Sequence, residues 1–167
     1  RVEVATGAVT TLAGSDEEGD EDGVGGAAQF KHPHGVTISP DGCALFVADC
    51  INHKIRRVEV ATGAVTTVAG SGAEGSADGV VGAAEFNRPA GVAVSPDGSV
   101  LFAVDMFNHK IMQVEAATGA VTTLAGSDTR GSADGVGGAA QFKFPCGVAI
   151  SPDGSALFVA DYLNDKI

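Results

Sequence analysis

The chain has 167 residues, of which 24 are glycine, and its formal net charge at pH 7 is −11. Such an excess of acidic residues repels phosphate groups, which argues against nucleic acids and anionic membranes as partners. No apolar run reaches the roughly 18 residues that a membrane span requires, and the aliphatic, glycine-punctuated composition is typical of many short β-strands.

One unit of 56 residues occurs three times, without insertions or deletions. The segment Arg1–Gly14 returns at Arg57–Gly70 and again at Gln113–Gly126, and the tetrapeptide SPDG recurs in one register. Repetition at this period predicts duplication of one supersecondary unit. We therefore expect a single repeat domain, with units at 1–56, 57–112 and 113–167.

The elements of one unit follow in chain order from its residue pattern. Gly35–Ser39 predicts a short buried strand, SPDG a turn, and Ala44–Asp49 a second strand that is apolar on both faces. Lys54–Ala61 alternates polar and apolar residues, as a strand near a sheet margin does. Ala64–Ala69 is rich in β-branched residues and predicts a fourth strand. Together these strands form one antiparallel meander.

A long connector separates one meander from the next. Its copy at Gly70–Pro89 has no period of its own, and each copy contains one phenylalanine in the same register: Phe30, Phe86 and Phe142. We expect this ring to pack one sheet against the next. Four-stranded sheets at a period above about 40 residues indicate a β-propeller with one blade per repeat.

The residues GVAVSPDGSVLFAVDMFNHKIMQVEAATGAVTTLAG, from Gly91 to Gly126, resemble an NHL repeat, as do the other two copies. The resemblance lies in the Gly-Val-Ala strand, the Pro-Asp-Gly turn, the aspartate that ends the second strand and the Asn-His pair before the third. It implies an all-β propeller, commonly six-bladed, that serves mostly as a binding platform. A minority of similar propellers are metal-dependent lyases or hydrolases.

The two ends of the chain predict an incomplete ring. Arg1–Gly14 corresponds to third and fourth strands, whereas the chain finishes with first and second strands and the stub Asn164–Ile167. Three blades are too few to close a ring. We expect the chain to be half of a six-bladed ring that a homodimer completes; the alternative is that the segment belongs to a longer array.

Several polar residues recur beside one predicted rim of the propeller. Carboxylates at the end of each second strand could bind a hard cation, although caps of the following turn explain them better. The histidines before the third strand are better explained as packing residues than as metal ligands. The third copy has Asp165 at the same position, and a symmetric ring of ligands would need a histidine there. With His32 and His34, these residues form the predicted binding rim: Asp49, His53, Asp105, His109 and Asp161.

Two stretches that are unique to the first copy offer weak metal candidates. In KHPHG, an extended segment would point His32 and His34 to one side, which suits zinc, but only two ligands are evident. Glu18, Asp20 and Asp22 resemble the front half of a calcium loop that lacks its final glutamate and its flanking helices. Surface variation and a solvated acidic loop are the preferred interpretations, so no cofactor is predicted and calcium or zinc remain the alternatives.

The chain shows no nucleophile elbow, catalytic carboxylate pair or phosphate-binding glycine loop. We therefore predict a non-catalytic scaffold that presents one loop rim to a basic or neutral protein or peptide, with binding that weakens as salt rises. The alternative is a metal-dependent lyase-like or hydrolase-like propeller that uses His32, His34 and the rim aspartates.

Overall fold

The computed structural model describes all residues from 1 to 167 and contains β-strands and short 3-10 helices but no α-helix. None of its helices has the length and apolar character needed to cross a membrane. The strands are β1 (Gly23–Val24), β2 (Pro33–Ile38), β3 (Ala44–Asp49), β4 (Lys54–Glu59), β5 (Ala64–Ala69), β6 (Pro89–Val94), β7 (Val100–Asp105), β8 (Lys110–Glu115), β9 (Val121–Gly126), β10 (Pro145–Ile150) and β11 (Leu157–Asp161). The 3-10 helices are Gly25–Ala27, Cys50–Asn52, Met106–Asn108, Gly137–Ala139 and Tyr162–Asn164.

Two complete four-stranded blades form the centre of the chain. Strands β2 to β5 make the first blade, with the two-residue β1 added beside β5, and β6 to β9 make the second. Neighbouring strands within each blade are antiparallel and consecutive in sequence. Strands β10 and β11 form the inner half of a third blade. The predicted all-β fold with four-stranded antiparallel blades is confirmed.

The SPDG turn between the first two strands of a blade is stabilised by its own side chains. Ser95 Oγ donates to the carboxylate of Asp97 at 2.6 Å, and the amide of Val100 donates to Ser95 Oγ at 3.0 Å. Gly98 has a φ of +78°, a left-handed conformation that favours glycine. Hydrogen bonds from Ser95, and then from Ser99, lower the pKa of Asp97 to about 2.

The main hydrophobic core lies between the two complete blades. Phe86, from the second connector, is fully buried in this core together with Ile55 of the first blade and Leu101 of the second. The side chain of Phe86 therefore packs one sheet against the next, as predicted from the repeat. Phe30, its equivalent in the first connector, is only partly buried and packs against a smaller cluster on the other side of the first blade.

The innermost strands of neighbouring blades approach each other at glycines. A Cβ atom on Gly35 would lie 2.4 Å from the carbonyl oxygen of Ala90, and one on Gly91 would lie 3.0 Å from that of Cys146. Only a residue without a side chain can occupy the first of these positions without a shift of backbone. The spacing of β2, β6 and β10 around the propeller axis is thus set by the glycine of the GVA motif.

The two ends carry partial blades. At the N-terminus, Val2 bridges to Val9 in place of the two regular strands that were predicted for Arg1–Gly14, and Leu12 packs beside the first blade. At the C-terminus, Asp161 bridges to Lys166. In this structure no further strand pairs with the N-terminal hairpin beyond the Val2–Val9 bridge.

Candidate binding rim

One edge of the propeller segment combines the connectors with the turns that follow the second strands. The amide of Phe107 donates to the carbonyl oxygen of Asn87 at 3.1 Å, and equivalent bonds join turn to connector in the other two blades. We call this edge the connector rim; it consists of residues 15–32, 71–88 and 127–144 with residues 50–53, 106–109 and 162–165. Of the site residues expected from the sequence, Glu18, Asp20, Asp22, His32, His53 and His109 belong to it. Asp49, Asp105 and Asp161 end the strands directly before its turns, and His34 lies outside it, in β2.

A buried aspartate lies beneath the rim in each blade. One carboxylate oxygen of Asp105 accepts a hydrogen bond from the backbone amide of Asn87 at 2.7 Å, and the other accepts one from Asn108 Nδ2 at 2.8 Å. Asn108 Nδ2 also donates to the carbonyl oxygen of Gly75 at 2.6 Å. These aspartates tie the turn to the connector and are closed off from solvent. The same contacts recur at the equivalent residues, Asp49 and Asp161.

A buried arginine distinguishes the first blade from the second. Arg56 is fully buried and forms ion pairs with Asp49 and with Asp22, both at 2.7 Å. Its guanidinium carbon also lies 5.2 Å from the centroid of the Phe30 ring. In the second blade the repeat has Met112 at this position, and that methionine is fully buried.

The second-blade aspartate consequently lies in a less favourable environment for a charge. Burial raises the pKa of Asp105 to about 7, and the hydrogen bonds from Asn87 and Asn108 only partly oppose this effect. The nearby Lys110 amine lowers the pKa further but is itself paired with Asp128, at 3.0 Å. Asp105 is therefore a buried carboxyl whose pKa is raised well above its ordinary value.

The histidines before the third strand connect neighbouring blades. His53 Nδ1 accepts a hydrogen bond from the amide of Arg88, and His109 Nδ1 accepts one from the amide of Phe144, both at 3.2 Å. Arg88 and Phe144 have left-handed φ values of 53° and 51°. Burial lowers the pKa of His109. The two histidines are positioning residues between blades, and Asp165 occupies their register in the third.

An aromatic and cationic cluster lies on the connector rim. The guanidinium carbon of Arg88 is 4.6 Å from the centroid of the Phe107 ring, a cation–π geometry. Phe107 meets the Phe144 ring edge-on at 5.1 Å, and His109 meets the same ring at 4.7 Å. Phe107 nevertheless remains 38% exposed, and Tyr162 of the third blade is also exposed.

This cluster is not among the site residues that the sequence predicts. A signal was present in the turn after the second strand, where each repeat has a large apolar residue in a loop: Ile51, Phe107 and Leu163. Exposed apolar side chains that lie together mark interaction surfaces more often than isolated ones do. The cluster with Arg88 and Phe144 could not be read from spacing, because its members come from two different repeats.

The segment with His32 and His34 differs from the extended ligand pair that was expected. His32 has a φ of 51°, so the backbone bends there, and the prediction of an extended segment is wrong. His32 Nε2 lies 3.4 Å from the carboxylate of Glu18, and Lys31 Nζ lies 3.2 Å from it. The hydrogen bond and the charge of Lys31 are the main causes that lower the pKa of Glu18.

The acidic stretch that suggested a calcium loop is paired with cations of the protein itself. Asp20 lies 2.7 Å from Lys54 Nζ, whose hydrogen bond and charge lower the pKa of Asp20. Asp22 lies 2.7 Å from Arg56 and also accepts hydrogen bonds from Thr67. No group of three or more His, Cys, Asp or Glu side chains in the structure is arranged to hold a metal ion.

Four-stranded meanders packed side by side through their innermost strands define the class of protein as a β-propeller. NHL repeat-containing protein 2 of Bos taurus is 36% identical over 134 residues, which are 74% of this chain and 18% of that protein. Protein SUPPRESSOR OF QUENCHING 1, chloroplastic, of Arabidopsis thaliana is 34% identical over 146 residues, 83% of this chain and 14% of that protein. The chain belongs to the NHL-repeat β-propeller family. It spans less than a fifth of the length of these curated relatives.

A solved structure supports the fold. The crystal structure of an auxiliary nutrient binding protein from Bacteroides thetaiotaomicron superposes with a TM-score of 0.76 at 22% identity. The match covers 99% of this chain and 40% of that protein. No model of a protein family matches the chain.

Proposed function

We propose that the chain is a non-catalytic propeller module that presents the connector rim to a protein or peptide partner, and that two copies form one six-bladed ring. The observation that carries the binding proposal is the partly exposed Phe107 with Arg88 stacked on it. Aromatic residues and arginine are enriched at the centres of protein interfaces. Loops held on a rigid scaffold are also where recognition is usually located.

The remaining rim residues divide into two groups in this proposal. His32 and Tyr162 on the rim, and His34 beside it in β2, are accessible and contribute to the contact surface. The buried residues Asp49, Asp105, His109 and Asp161 and the half-buried His53 hold the turns and connectors in place. A buried support of this kind limits the entropy that the rim loses on binding, which favours affinity.

The charge of the chain defines the chemistry of the partner. The net charge of −11 includes exposed acids at the rim, such as Asp16 and Glu17. A basic or neutral peptide is attracted to such a surface, and an acidic one is repelled. Because exposed charges are screened by salt, affinity should fall as ionic strength rises.

A random peptide library displayed on phage and selected on the immobilised chain tests the proposal. We expect enriched peptides to be basic or neutral, and Phe107→Ala to weaken their binding by at least about 10-fold. Leu124→Ala is the matched control, because Leu124 is 41% exposed but lies on the fourth strand of the blade and outside the rim. We expect that control to change affinity by less than about 2-fold.

Two results would contradict the binding proposal. One is selected peptides whose affinity is unaffected by Phe107→Ala. The other is stoichiometric zinc or calcium that stays with the purified chain through dialysis, which would favour the metal-dependent lyase or hydrolase alternative. Metal content is measured by mass spectrometry on the same preparation that is used for selection.

A further inference from the structure

We infer that Arg130 and Lys143 form a carboxylate-binding subsite of the connector rim, which takes the side chain of an aspartate or glutamate in the bound peptide. The inference rests on the proposed binding of a peptide by this rim, and it adds the charge pattern that the peptide must have. A peptide that is basic or neutral overall would carry one acidic residue, and this residue would fix its position on the rim.

The two positions of the subsite face each other in the first two units of the chain. In the first unit they are occupied by Glu18 and Lys31, and the Glu18 carboxylate lies 3.2 Å from Lys31 Nζ. In the second unit they are occupied by Glu74 and Asn87, and Asn87 Nδ2 donates to the Glu74 carboxylate at 3.1 Å. Each of these units therefore pairs a connector carboxylate with a donor 13 residues later.

The third unit keeps the same backbone contact but has a cation in place of the carboxylate. The amide of Gly131 donates to the carbonyl oxygen of Phe142 at 3.0 Å, and the equivalent bond of the second unit measures 3.2 Å. Arg130 precedes the first of these residues and Lys143 follows the second, so the two side chains are brought together as their equivalents are. The third unit thus presents two donors to one place and supplies no acceptor between them.

The cations of this part of the rim have no partner within the chain. The side chains of Arg88, Arg130 and Lys143 form neither a salt bridge nor a hydrogen bond. Asp128 of the same connector is already paired with Lys110, at 3.0 Å. Arg130 is exposed and Lys143 is half-buried, so both can be reached from solvent. A guanidinium binds a carboxylate through two parallel N–H groups, which makes a carboxylate the fitting ligand.

The subsite borders the aromatic cluster that carries the binding proposal. Lys143 precedes Phe144, whose ring meets Phe107 edge-on at 5.1 Å and His109 at 4.7 Å. Burial is the main cause of the lowered pKa of His109, and the charge of Arg130 adds to it, so the guanidinium lies close to this histidine. A peptide that packs an apolar side chain on Phe107 would therefore place a neighbouring acidic side chain at the two cations.

The charges of the rim also set the direction of the peptide. The first connector contains six acids and one lysine. Of these acids, Asp16, Glu17 and Glu21 are exposed and form no salt bridge. The third connector, in contrast, contains two acids and two bases. Because complementary potentials orient a charged partner, basic residues of the peptide would lie toward the first connector and its acidic residue toward the third.

Titration with N-acetyl-glutamate amide, which has a single carboxylate, tests the subsite without any selected peptide. We expect saturable changes in the NMR amide shifts of Gly131 and Phe144, and none with N-acetyl-glutamine amide, which lacks the charge. Arg130→Gln should weaken binding at least about 10-fold, because it removes a charged donor. Arg57→Gln is the matched control and should change binding by less than about 2-fold, since it removes the same charge outside the rim and copies Gln113 of the third unit.

Arg130→Glu separates loss of the subsite from loss of the fold. It copies Glu18 of the first unit, so the new carboxylate should pair with Lys143, keep the β-sheet circular dichroism spectrum and abolish the shift changes. Equal affinity in Arg130→Gln and the wild type, or equal shift changes with the glutamate and glutamine compounds, would overturn the inference. Shift changes with inorganic phosphate but not with the glutamate compound would also overturn it, since the cations would then serve a phosphate ligand.

Failure of the subsite and failure of the binding rim give different results. Selected peptides that depend on Phe107 but contain no acidic residue would overturn the subsite and leave the rim proposal intact. Saturable shift changes that Arg130→Gln removes, with no Phe107-dependent peptide selected, would support the subsite and contradict the rim proposal.

Discussion

Met112→Arg is the substitution that most sharply tests how the buried aspartates are stabilised. In the first blade Arg56 pairs with Asp49 and Asp22, and the second blade has the corresponding acids, Asp105 and Asp78, without the arginine. An arginine at position 112 would therefore find carboxylates that the repeat already places around it. It should stabilise the ionised form of Asp105 and lower its pKa.

The expected change in the free energy of unfolding follows from the value of this pKa. Burial raises the pKa of Asp105 from 3.8 to about 7, which corresponds to about 4 kcal/mol between the folded and unfolded states. Because the folded pKa is the higher one, the folded wild type is most favoured below pH 3.8, and this stability is lost as pH rises toward 7. Asp97 and Asp153, with pKa values lowered to about 2, lose their contribution only below pH 3.8, outside this window.

Urea denaturation at a fixed protein concentration, between about pH 4.5 and about pH 7.5, measures the effect. We expect the unfolding free energy of Met112→Arg minus that of the wild type to rise by about 2–4 kcal/mol across this range. Gln113→Arg is the control, since it copies Arg57 of the first repeat and adds the same charge next to the buried position. A difference curve for Met112→Arg as flat as that of the control would refute the reasoning.

Two further substitutions test the core and the support of the rim by the same denaturation measurement. Phe86→Ala should lower the free energy of unfolding by about 3–5 kcal/mol because it empties the fully buried position between blades. Phe107→Ala should lower it by less than about 1.5 kcal/mol. Equal losses for the two variants would contradict the assignment of the core. Asn108→Ala should lower the free energy of unfolding by about 2–3 kcal/mol because it removes the donor to Asp105 and to the carbonyl oxygen of Gly75. The side chain of Asn87 contacts only Glu74 at the surface, so Asn87→Ala should lower the free energy of unfolding by less than about 0.5 kcal/mol. A larger loss for Asn87→Ala than for Asn108→Ala would show that the buried contact is unimportant.

Strand positions could be predicted from the sequence because local signals and the repeat agree. The expected strands at Ala44–Asp49 and Ala64–Ala69 match β3 and β5 at both ends. The reason is visible in the SPDG turn, where serine and aspartate side chains hold the chain reversal and a glycine takes the left-handed conformation. Three copies of such a turn leave little freedom in where a strand begins.

Contacts between side chains that are distant in the sequence could not be predicted in the same way. The stacking of Arg88 on Phe107, and the pairing of Arg56 with Asp22, each join a connector to a turn or strand of the same repeat, at a distance that depends on how the connector folds back over the blade. The bend at His32 was missed because a left-handed histidine has no signal in the sequence comparable to that of glycine. Spacing identified the repeating elements, and only the three-dimensional arrangement shows which side chains meet.

Hydrogen exchange at the two ends of the chain, compared at low and high protein concentration, most directly tests whether a second copy closes the ring. We expect the amides of residues 1–14 to become protected as concentration rises, toward the protection of the equivalent segment Gln113–Gly126. Amides in β6 to β9 should be protected at both concentrations. Fast exchange of residues 1–14 at every concentration, with the central blades intact, would contradict closure by a second copy.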